Sequence, residues 1–398
     1  MIKFSYTNTS ADQDKYQLNL AQARLQADEI ISDLTTNLKY KIFDFPSSYK
    51  ELTNIAKIAK NIKNPCEDII IIGMGGAILN PQALLTLHGL PKEKNIHFLG
   101  NTDPIYFQNL AQKINLKHSI VIVISNSGNT LETISLSQMM IKMYENTITN
   151  SIGEHFFFIT NTINGKLKEI ANNIKATIIP HRAGISGRFS GFTNVSTFIA
   201  SIAGLDVAEY IKGAEYVLED FISNKHAPSI IAAANIMTVR KPIMVNLAYL
   251  QQFDPFLEWY CQIIAESLGK NNHAITPIRG LGPNDQHSTL QLYIEGADDK
   301  FYNFLHVTHL DFTKNIDLSI FSYLYKINNI NFTATKEVLE SIGRPVRSII
   351  LPNLSLRTIG ELTANMMLET IILCKMSEVN PFDQPGVELI KIKTKELL

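Results

Sequence analysis

The sequence predicts an α/β protein built on parallel β-sheets that are covered by helices on both faces. Short and continuously apolar runs alternate with segments of helical period, a pattern typical of parallel strands that are buried on both sides. The chain has 398 residues, of which 45% are hydrophobic. This length and composition are sufficient for two or three domains with sizeable cores.

The first 60 residues have mostly helical periodicity, because apolar residues recur at three- and four-residue steps in "AQARLQADEIISDL" and "SYKELTNIAKIAKNI". Five apolar runs then predict the strands of a first sheet: 68–73, 96–101, 119–127, 155–161 and 176–181. A thinner series predicts a second sheet, with a joining helix at 203–221: 242–247, 290–296, 303–310 and 347–354. The domains expected from this order are an N-terminal helical segment, two sheet domains and a C-terminal helix, at 1–60, 61–210, 211–380 and 381–398.

The composition argues against several classes of protein. A net charge of −1 without a dense Lys/Arg stripe gives no basis for binding nucleic acid. Cys66, Cys261 and Cys374 are scattered, so we expect neither disulfides nor a zinc site. We expect the protein to be in a reducing compartment. The N-terminus lacks the apolar core of a signal peptide, and the longest apolar runs are about half of the roughly 20 residues that a membrane span needs. We therefore expect a soluble cytoplasmic protein without a membrane partner.

The stretch "SNSGNTLET" follows a predicted strand and opens the predicted helix "LETISLSQMMIKMY". In a parallel sheet, ligands bind beyond the carboxyl ends of the strands. A helix N-terminus attracts anions because its first N–H groups are unpaired and carry partial positive charge. Ser125, Ser127, Thr130 and Thr133 add hydroxyl donors, and the glycine among them permits a tight turn. The stretch indicates a phosphate site, although the same residues could simply cap the helix.

A second glycine turn, "GMGGAILN", follows the first apolar run. It is not a dinucleotide-binding fingerprint, because Ile78 stands where the third glycine would fall, and it lacks the GKS or GKT sequence of a P-loop. Considered alone, it could equally be a plain tight turn. Two turns that suit a phosphate, neither of which suits a nucleotide, favour a small phosphorylated metabolite as the ligand.

Two further segments carry candidate chemical groups. "GISGRFSGF" places Arg188 among small residues, where a guanidinium could stabilise negative charge, or where it could be an ordinary surface arginine in a flexible loop. "WYCQIIAESLGKNN" predicts a helix that ends at Gly269. Gln262 and Glu266 are four residues apart and share a face of that helix. Glu266 could act as a general base, and an exposed glutamate is the alternative.

The last two candidates are isolated residues. "GLGPNDQHST" places His287 just before a predicted strand, and "FDQPGVELIK" places Lys391 on a helix face with Glu388 and Val387. A structural histidine and a surface lysine are the ordinary alternatives. Because neither the HExxH nor the GxSxG spacing occurs, the sequence gives no support for a zinc hydrolase or a serine hydrolase.

Taken together and in this order, "SNSGNTLET", "GRFSGFTNVS", "AESLGKNN", "GPNDQHS" and "FDQPGVELIK" resemble the glucose-6-phosphate isomerase family over about residues 65–393. "FDQPGVELIK" is specific to that family, whereas "SNSGNT" marks sugar-isomerase (SIS) domains generally. The resemblance implies two SIS domains, each a doubly wound, flavodoxin-like parallel sheet flanked by helices. It also implies an enzyme that needs no cofactor and no metal.

The resemblance further implies the interconversion of glucose 6-phosphate and fructose 6-phosphate through a cis-enediol, in glycolysis and gluconeogenesis. Glu266 would move a proton between C1 and C2, and Arg188 would stabilise the enediolate. His287 and Lys391 would assist ring opening, with His287 contributed by the neighbouring subunit of a homodimer. The substrate-binding positions that it implies are Gly75, Gly76, Ser125, Asn126, Ser127, Thr130, Gly187, Gln262 and Gln384.

This chain departs from the family pattern at three positions near the substrate, the first being Ser186, where family members commonly have a glycine. Ala77 stands where the family usually has a serine, and Asn126 stands where many relatives carry a lysine. Two other functions remain open: a dual phosphoglucose/phosphomannose isomerase and a non-catalytic SIS sugar-phosphate sensor. The presence of Glu266, His287 and Lys391 together argues against the sensor, because binding alone does not need all three.

Overall fold

The structure, a computed structural model, describes residues 1–34, 36–60, 62, 66–90, 93–148, 151–161, 164–272, 275–310 and 318–397. Over these residues the strands are β1 (Lys3–Thr7), β2 (Asp68–Gly73), β3 (Asn95–Leu99), β4 (Ser119–Ser125), β5 (Phe156–Thr160), β6 (Thr177–Pro180), β7 (Ile243–Ala248), β8 (Thr276–Leu281), β9 (Lys300–Val307) and β10 (Val346–Leu351).

The helices, over the same residues, are α1 (Gln13–Asp33), α2 (Phe45–Lys60), α3 (Gly76–His88), α4 (Pro104–Ala111), α5 (Leu131–Thr147), α6 (Lys166–Asn173), α7 (Asn194–Ile202), α8 (Val207–Ser223), α9 (Pro228–Val239), α10 (Asp254–Leu268), α11 (Leu290–Glu295), α12 (Leu318–Ser341), α13 (Leu356–Met376) and α14 (Pro385–Leu397). None of the described helices combines the length and the hydropathy of a membrane-spanning segment.

The chain forms two compact units. The first unit comprises residues 38–212, and the second unit comprises 1–37 together with 213–398. The N-terminal segment expected at 1–60 is therefore divided between them. The reason is local packing: β1 pairs with β10 and α1 packs on α9 in the second unit, whereas α2 packs on α7 in the first.

The sheet of the first unit contains five parallel strands in the order β3-β2-β4-β5-β6. Numbered from β2, this is the 2-1-3-4-5 order of a flavodoxin-like doubly wound sheet. The central strand β4 is buried along its whole length because its apolar side chains face helices on both sides. All five strands of the first predicted series are confirmed.

The sheet of the second unit has the order β1-β10-β9-β7-β8. Numbered from β7, its four parallel strands have the order 2-1-3-4, which matches the first four positions of the first sheet. β1 is added antiparallel at the free edge of β10. The predicted strand 290–296 is wrong, because this segment contains α11, in which only Tyr293 is buried. β1 and β8 were not predicted, since both are edge strands with mixed burial and neither is a continuous apolar run.

Candidate active site

The predicted phosphate loop lies between β4 and α5 in the first unit. Gly128 has φ +66°, and a Cβ there would lie 3.0 Å from Thr160 Oγ1, so the turn requires glycine. The hydroxyls of Ser125 and Thr130 are 2.9 Å apart. Thr130 occupies the N-cap position of α5, but its side chain makes no capping hydrogen bond. This geometry favours an anion site over the capping alternative, because the hydroxyl of the cap residue does not pair with the first turn of α5.

The remaining side chains of this loop have distinct surroundings. Ser127 is exposed, and its Oγ accepts a hydrogen bond from the backbone N–H of Asn129 at 3.2 Å. The amide of Asn126 donates to the Ile185 carbonyl at 2.9 Å, which ties the loop to the segment that precedes Arg188. Thr133 is fully buried and its Oγ1 has no hydrogen-bond partner among the described residues.

The glycine turn "GMGGAILN" packs directly against the segment that carries Arg188. Gly75 has φ 54° and ψ −129°, a conformation that side chains disfavour. A Cβ on Gly76 would lie 2.2 Å from the carbonyl carbon of Gly187, so the two backbones are in contact and Gly76 admits no side chain. The structure therefore brings Gly75, Gly76 and Gly187 together, although the glycine turn and Gly187 are far apart in sequence.

Arg188 is 1% exposed and lies in a short 3-10 turn, Gly187–Phe192. Its guanidinium carbon is 5.5 Å from the centre of the Phe189 ring. The alternative of a surface arginine in a flexible loop is therefore wrong. A buried guanidinium offers a fixed positive charge and a planar set of donors, which suits a developing oxyanion.

Gln262 and Glu266 lie on one face of α10 in the second unit, as their spacing predicts. The Gln262 amide donates to Glu266 Oε1 at 2.8 Å, and both side chains are partly exposed. The helix ends at Leu268 with Gly269 as its C-cap residue, which confirms the predicted end. The amide donor on the preceding turn fixes the orientation of the carboxylate.

A row of polar residues crosses the sheet beneath α10. One residue from each strand lies beside the next in register: Tyr6, Arg347, Asn303, Asn246 and Arg279. The Arg347 guanidinium donates to Asn303 Oδ1 at 2.8 Å, and the Asn303 amide donates to Asn246 Oδ1 at 2.8 Å. We call this set the polar row.

The polar row holds α10 and α13 through buried hydrogen bonds and ion pairs. Arg347 donates to Glu369 of α13 at 2.5 Å and to the Tyr260 hydroxyl of α10 at 3.1 Å, and that hydroxyl donates to Glu369 at 2.6 Å. Burial alone would lower the pKa of Arg347, but the Glu369 carboxylate, together with the hydroxyls of Tyr260 and Tyr6, raises it. At the sheet edge, Arg279 pairs with Asp254 in the first turn of α10 at 2.6 Å. The helix that carries Glu266 is therefore fixed at both its start and its middle.

The other predicted residues of the second unit lie at its surface. His287 is exposed at the end of a 3-10 turn, Asn284–His287, that precedes α11 and not a strand as predicted. Lys391 of α14 is exposed and forms an ion pair with Glu388 at 2.6 Å. Gln384 directly precedes α14 and is partly buried.

Sequence reasoning missed several residues that support the site. Lys270 pairs with Asp383 at 2.6 Å and so joins the end of α10 to the turn before α14. Arg347 and Glu369 gave no signal, because nothing in the sequence relates them to α10. Asn80 could have been found, since it is four residues after Gly76 on the helix that opens at the glycine turn. Among the described residues, no group of three or more His, Cys, Asp and Glu side chains could hold a metal ion.

Comparisons of the whole chain with known proteins point to one family. A family model described as phosphoglucose isomerase matches residues 34–317. The chain is 32% identical over 336 residues to the glucose-6-phosphate isomerase of Methanocaldococcus jannaschii, covering 82% of each chain. It is 30% identical over 356 residues to that of Campylobacter jejuni, covering 84% of this chain and 86% of the relative.

Two solved structures share the fold. A hypothetical protein from Thermus thermophilus superposes with a TM-score of 0.88 at 24% identity, covering 99% of both chains. A glucose-6-phosphate isomerase from Chlamydia trachomatis superposes with a TM-score of 0.84 at 19% identity, covering 100% of this chain and 88% of that one.

Two flavodoxin-like sheets, with a hydroxyl-rich loop after the central strand of one, match the two-domain SIS fold. The extent of the family match and the identity to curated relatives narrow this assignment further. The chain belongs to the phosphoglucose isomerase family.

Proposed function

We propose that this enzyme interconverts glucose 6-phosphate and fructose 6-phosphate by proton transfer through a cis-enediolate, with Glu266 as the base. The observation that carries the proposal is the pair on α10, where the Gln262 amide donates to Glu266 Oε1 at 2.8 Å and orients the carboxylate. The polar row supports it further, because it fixes the helix on which the pair lies.

In the proposed reaction, the Glu266 carboxylate removes the C2 proton of open-chain glucose 6-phosphate. The electron pair moves towards the C1 carbonyl oxygen and gives the enediolate. The proton then returns to C1 while O2 loses its hydroxyl proton and O1 gains one, which leaves a carbonyl at C2 and a hydroxyl at C1. One carboxylate therefore serves both transfers to and from carbon. A positioned base contributes about 10²–10⁴-fold, which is too little alone for so weak a carbon acid.

Arg188 supplies the second contribution by stabilising the negative charge of the enediolate. Its burial supports this role, because a charge held away from water acts more strongly on a neighbouring anion. The substrate phosphate is bound by Ser125, Ser127 and Thr130, with Asn126 beside them. The backbone at Gly75, Gly76 and Gly187 lies close to the sugar, since the absence of side chains lets Gly76 and Gly187 pack together as one backbone surface.

His287 and Lys391 assist ring opening, and Gln384 lines the same pocket. We place His287 in the active site of the neighbouring subunit of a homodimer. Its exposed position in the turn before α11 supports this placement, since such a side chain is accessible to a second subunit. The scattered positions of Cys66, Cys261 and Cys374 in the sequence support a reducing compartment, and we propose the cytoplasm.

Product analysis tests the reaction. Fructose 6-phosphate incubated with the enzyme should give glucose 6-phosphate and no mannose 6-phosphate. Equal formation of mannose 6-phosphate would instead establish the dual-specificity isomerase, and tight binding without any product would establish the sensor.

Mixed subunits test the shared histidine. Glu266→Gln and His287→Ala subunits are each inactive alone in this scheme. If His287 acts across the interface, a mixed dimer has one intact site, so random exchange at equal concentrations should restore about a quarter of the wild-type activity. No restoration in dimers shown to be mixed would place His287 and Glu266 of one chain in the same site.

A further inference from the structure

We propose that Asn80 is a positioning residue that holds the Gly187–Arg188 peptide in place and thereby aims the Arg188 guanidinium; this inference rests on the role proposed for Arg188. Asn80 is 4% exposed and lies in the second turn of α3. Its Nδ2 donates to the Gly76 carbonyl at 2.5 Å and to the Gly187 carbonyl at 2.8 Å. One side-chain amide thus joins its own helix to a residue that is 107 positions further along the chain.

The chemistry of the neighbours fixes the orientation of this amide. Both close partners are carbonyl oxygens, which only accept hydrogen bonds, so the NH₂ group must face them. Reversing the amide would place Asn80 Oδ1 against two other oxygens. In the observed orientation, Oδ1 is buried and has no partner among the described residues. The bridge between the two turns therefore leaves Asn80 Oδ1 without a hydrogen-bond partner among the described residues, and this costs folding free energy.

The bridge acts on the peptide plane from which Arg188 extends. The Gly187 carbonyl and the Arg188 N–H belong to one planar peptide group, so holding the carbonyl orients the whole group. Ser190 Oγ donates to the same carbonyl at 2.6 Å, which gives it two donors. Gly76 lies so close that a Cβ would be 2.3 Å from Arg188 N, and the amide therefore clamps two backbones that are already in contact.

An asparagine bonded to the carbonyl four residues earlier is a common local feature of helices, and this chain contains a matched example. Asn365 of α13 is 5% exposed, its Nδ2 donates to the Glu361 carbonyl at 2.9 Å, and its Oδ1 also has no partner among the described residues. Asn365 shares the local bond and the burial of Asn80. The bond to Gly187 is the feature by which Asn80 differs.

This difference predicts a specific kinetic effect. Loosening the Arg188 peptide should weaken an interaction that strengthens as charge develops, so kcat should fall while KM changes little. Displacement of a catalytic group by about 1 Å can cost roughly 10²-fold in rate. Phosphate binding depends on the loop after β4, so it should not change.

The experiment compares Asn80→Leu with Asn365→Leu in the full-length enzyme. We expect Asn80→Leu to lower kcat by about 10- to 100-fold with KM within about twofold. Asn365→Leu should leave kcat within about twofold, and competitive inhibition by inorganic phosphate should be unaltered in both. If Asn80→Leu does not fold, Asn80→Ser replaces it, because a serine hydroxyl can bond the carbonyl four residues earlier but is too short to reach Gly187.

A double-mutant cycle separates positioning from general destabilisation. In the Arg188→Met background, which retains most of the apolar stem, Asn80→Leu should lower kcat by no more than about twofold further, since both changes remove the same interaction. Full additivity, or equal losses from Asn80→Leu and Asn365→Leu, would overturn the inference while leaving the role of Arg188 intact. Near-normal turnover of Arg188→Met would instead overturn the proposed role of Arg188 and the clamp with it.

Discussion

The two units share a strand order but fill their sheets in opposite ways. In the first unit, Ile120–Ile124 of the central strand are all apolar and fully buried. In the second unit, the polar row crosses the sheet, and Arg347, Asn303 and Asn246 are each 0% exposed. An apolar sheet needs only shape complementarity, whereas buried charges and amides need defined partners.

The two units also carry their candidate site residues on different elements. The first unit presents hydroxyls and glycine backbone from turns at the ends of strands. The second unit presents Glu266 from α10, which the polar row fixes from beneath. Changes in the first unit should therefore act mainly on binding and charge stabilisation, and changes in the second on the base and its support.

The largest effect should come from the base. Glu266→Gln retains the size and the Gln262 neighbour but cannot accept a proton, so kcat should fall by about 10²–10⁴-fold with the fold and substrate affinity retained. Glu258→Gln is the matched control, because Glu258 lies on the same helix and pairs with Arg279 at 3.4 Å. Its kcat should remain within about twofold. Near-normal turnover of Glu266→Gln, measured in a coupled assay, would remove Glu266 from its role.

The next effect concerns the polar row. Arg347→Met leaves Glu369 buried without its ion-pair partner, so it should destabilise the second unit by about 3–5 kcal/mol in chemical denaturation. The double variant Arg347→Met/Glu369→Met should recover most of that loss, because no unpaired charge remains. Lys166→Met, at an exposed ion pair in the first unit, should cost less than about 1 kcal/mol. Equal losses for Arg347→Met and Lys166→Met would contradict the contrast between the two sheets.

A smaller effect is expected at the phosphate loop. Ser127→Ala removes one hydroxyl donor to a charged group, which is worth about 1.5–3 kcal/mol and so should raise KM by roughly 10- to 100-fold with little change in kcat. Ser341→Ala, at an exposed serine in the second unit, is the control and should leave KM unchanged. A lower kcat at unchanged KM would show that Ser127 acts in the chemical step and not in phosphate binding.

The smallest expected effect is on the pH dependence of stability. Burial lowers the pKa of His181 in the first unit and of His306 in the second. A histidine with a lowered pKa stabilises the fold above its ordinary value of about 6.5, and this stability is lost as pH falls through the folded pKa. His306→Phe preserves stacking on Phe332 at 4.3 Å and removes the titration. As pH falls from about 7 to 5, the variant's free energy of unfolding, measured by urea denaturation, should therefore decrease less than that of the wild type. An unchanged pH profile would show that His306 does not contribute to the pH dependence of stability.

The sequence was most informative where burial is uniform. β2, β4 and β5 were predicted because their apolar runs face helices on both sides. β1 and β8 were missed because an edge strand with one half-buried face has no continuous apolar run. The segment at 290–296 was mistaken for a strand because a single short apolar run does not distinguish a strand from one turn and a half of helix.

The site shows the same division between local and distant information. The pairing of Gln262 with Glu266 follows from helical spacing, so it was predicted. The support beneath it could not be predicted, because Arg347 and Glu369 reach Tyr260 only through the register of the folded sheet. The burial of Arg188 was equally hidden, since it depends on the contact between Gly76 and Gly187.

The most direct test of the central claim is NMR of fructose 6-phosphate incubated with the enzyme in D₂O. Proton transfer through an enediolate exposes the transferred proton on Glu266 to solvent exchange. We therefore predict deuterium at C2 of the glucose 6-phosphate formed, increasing over repeated turnovers, and no exchange with Glu266→Gln. Glucose 6-phosphate with only ordinary hydrogen at C2 after the two sugars have equilibrated would contradict the enediolate mechanism.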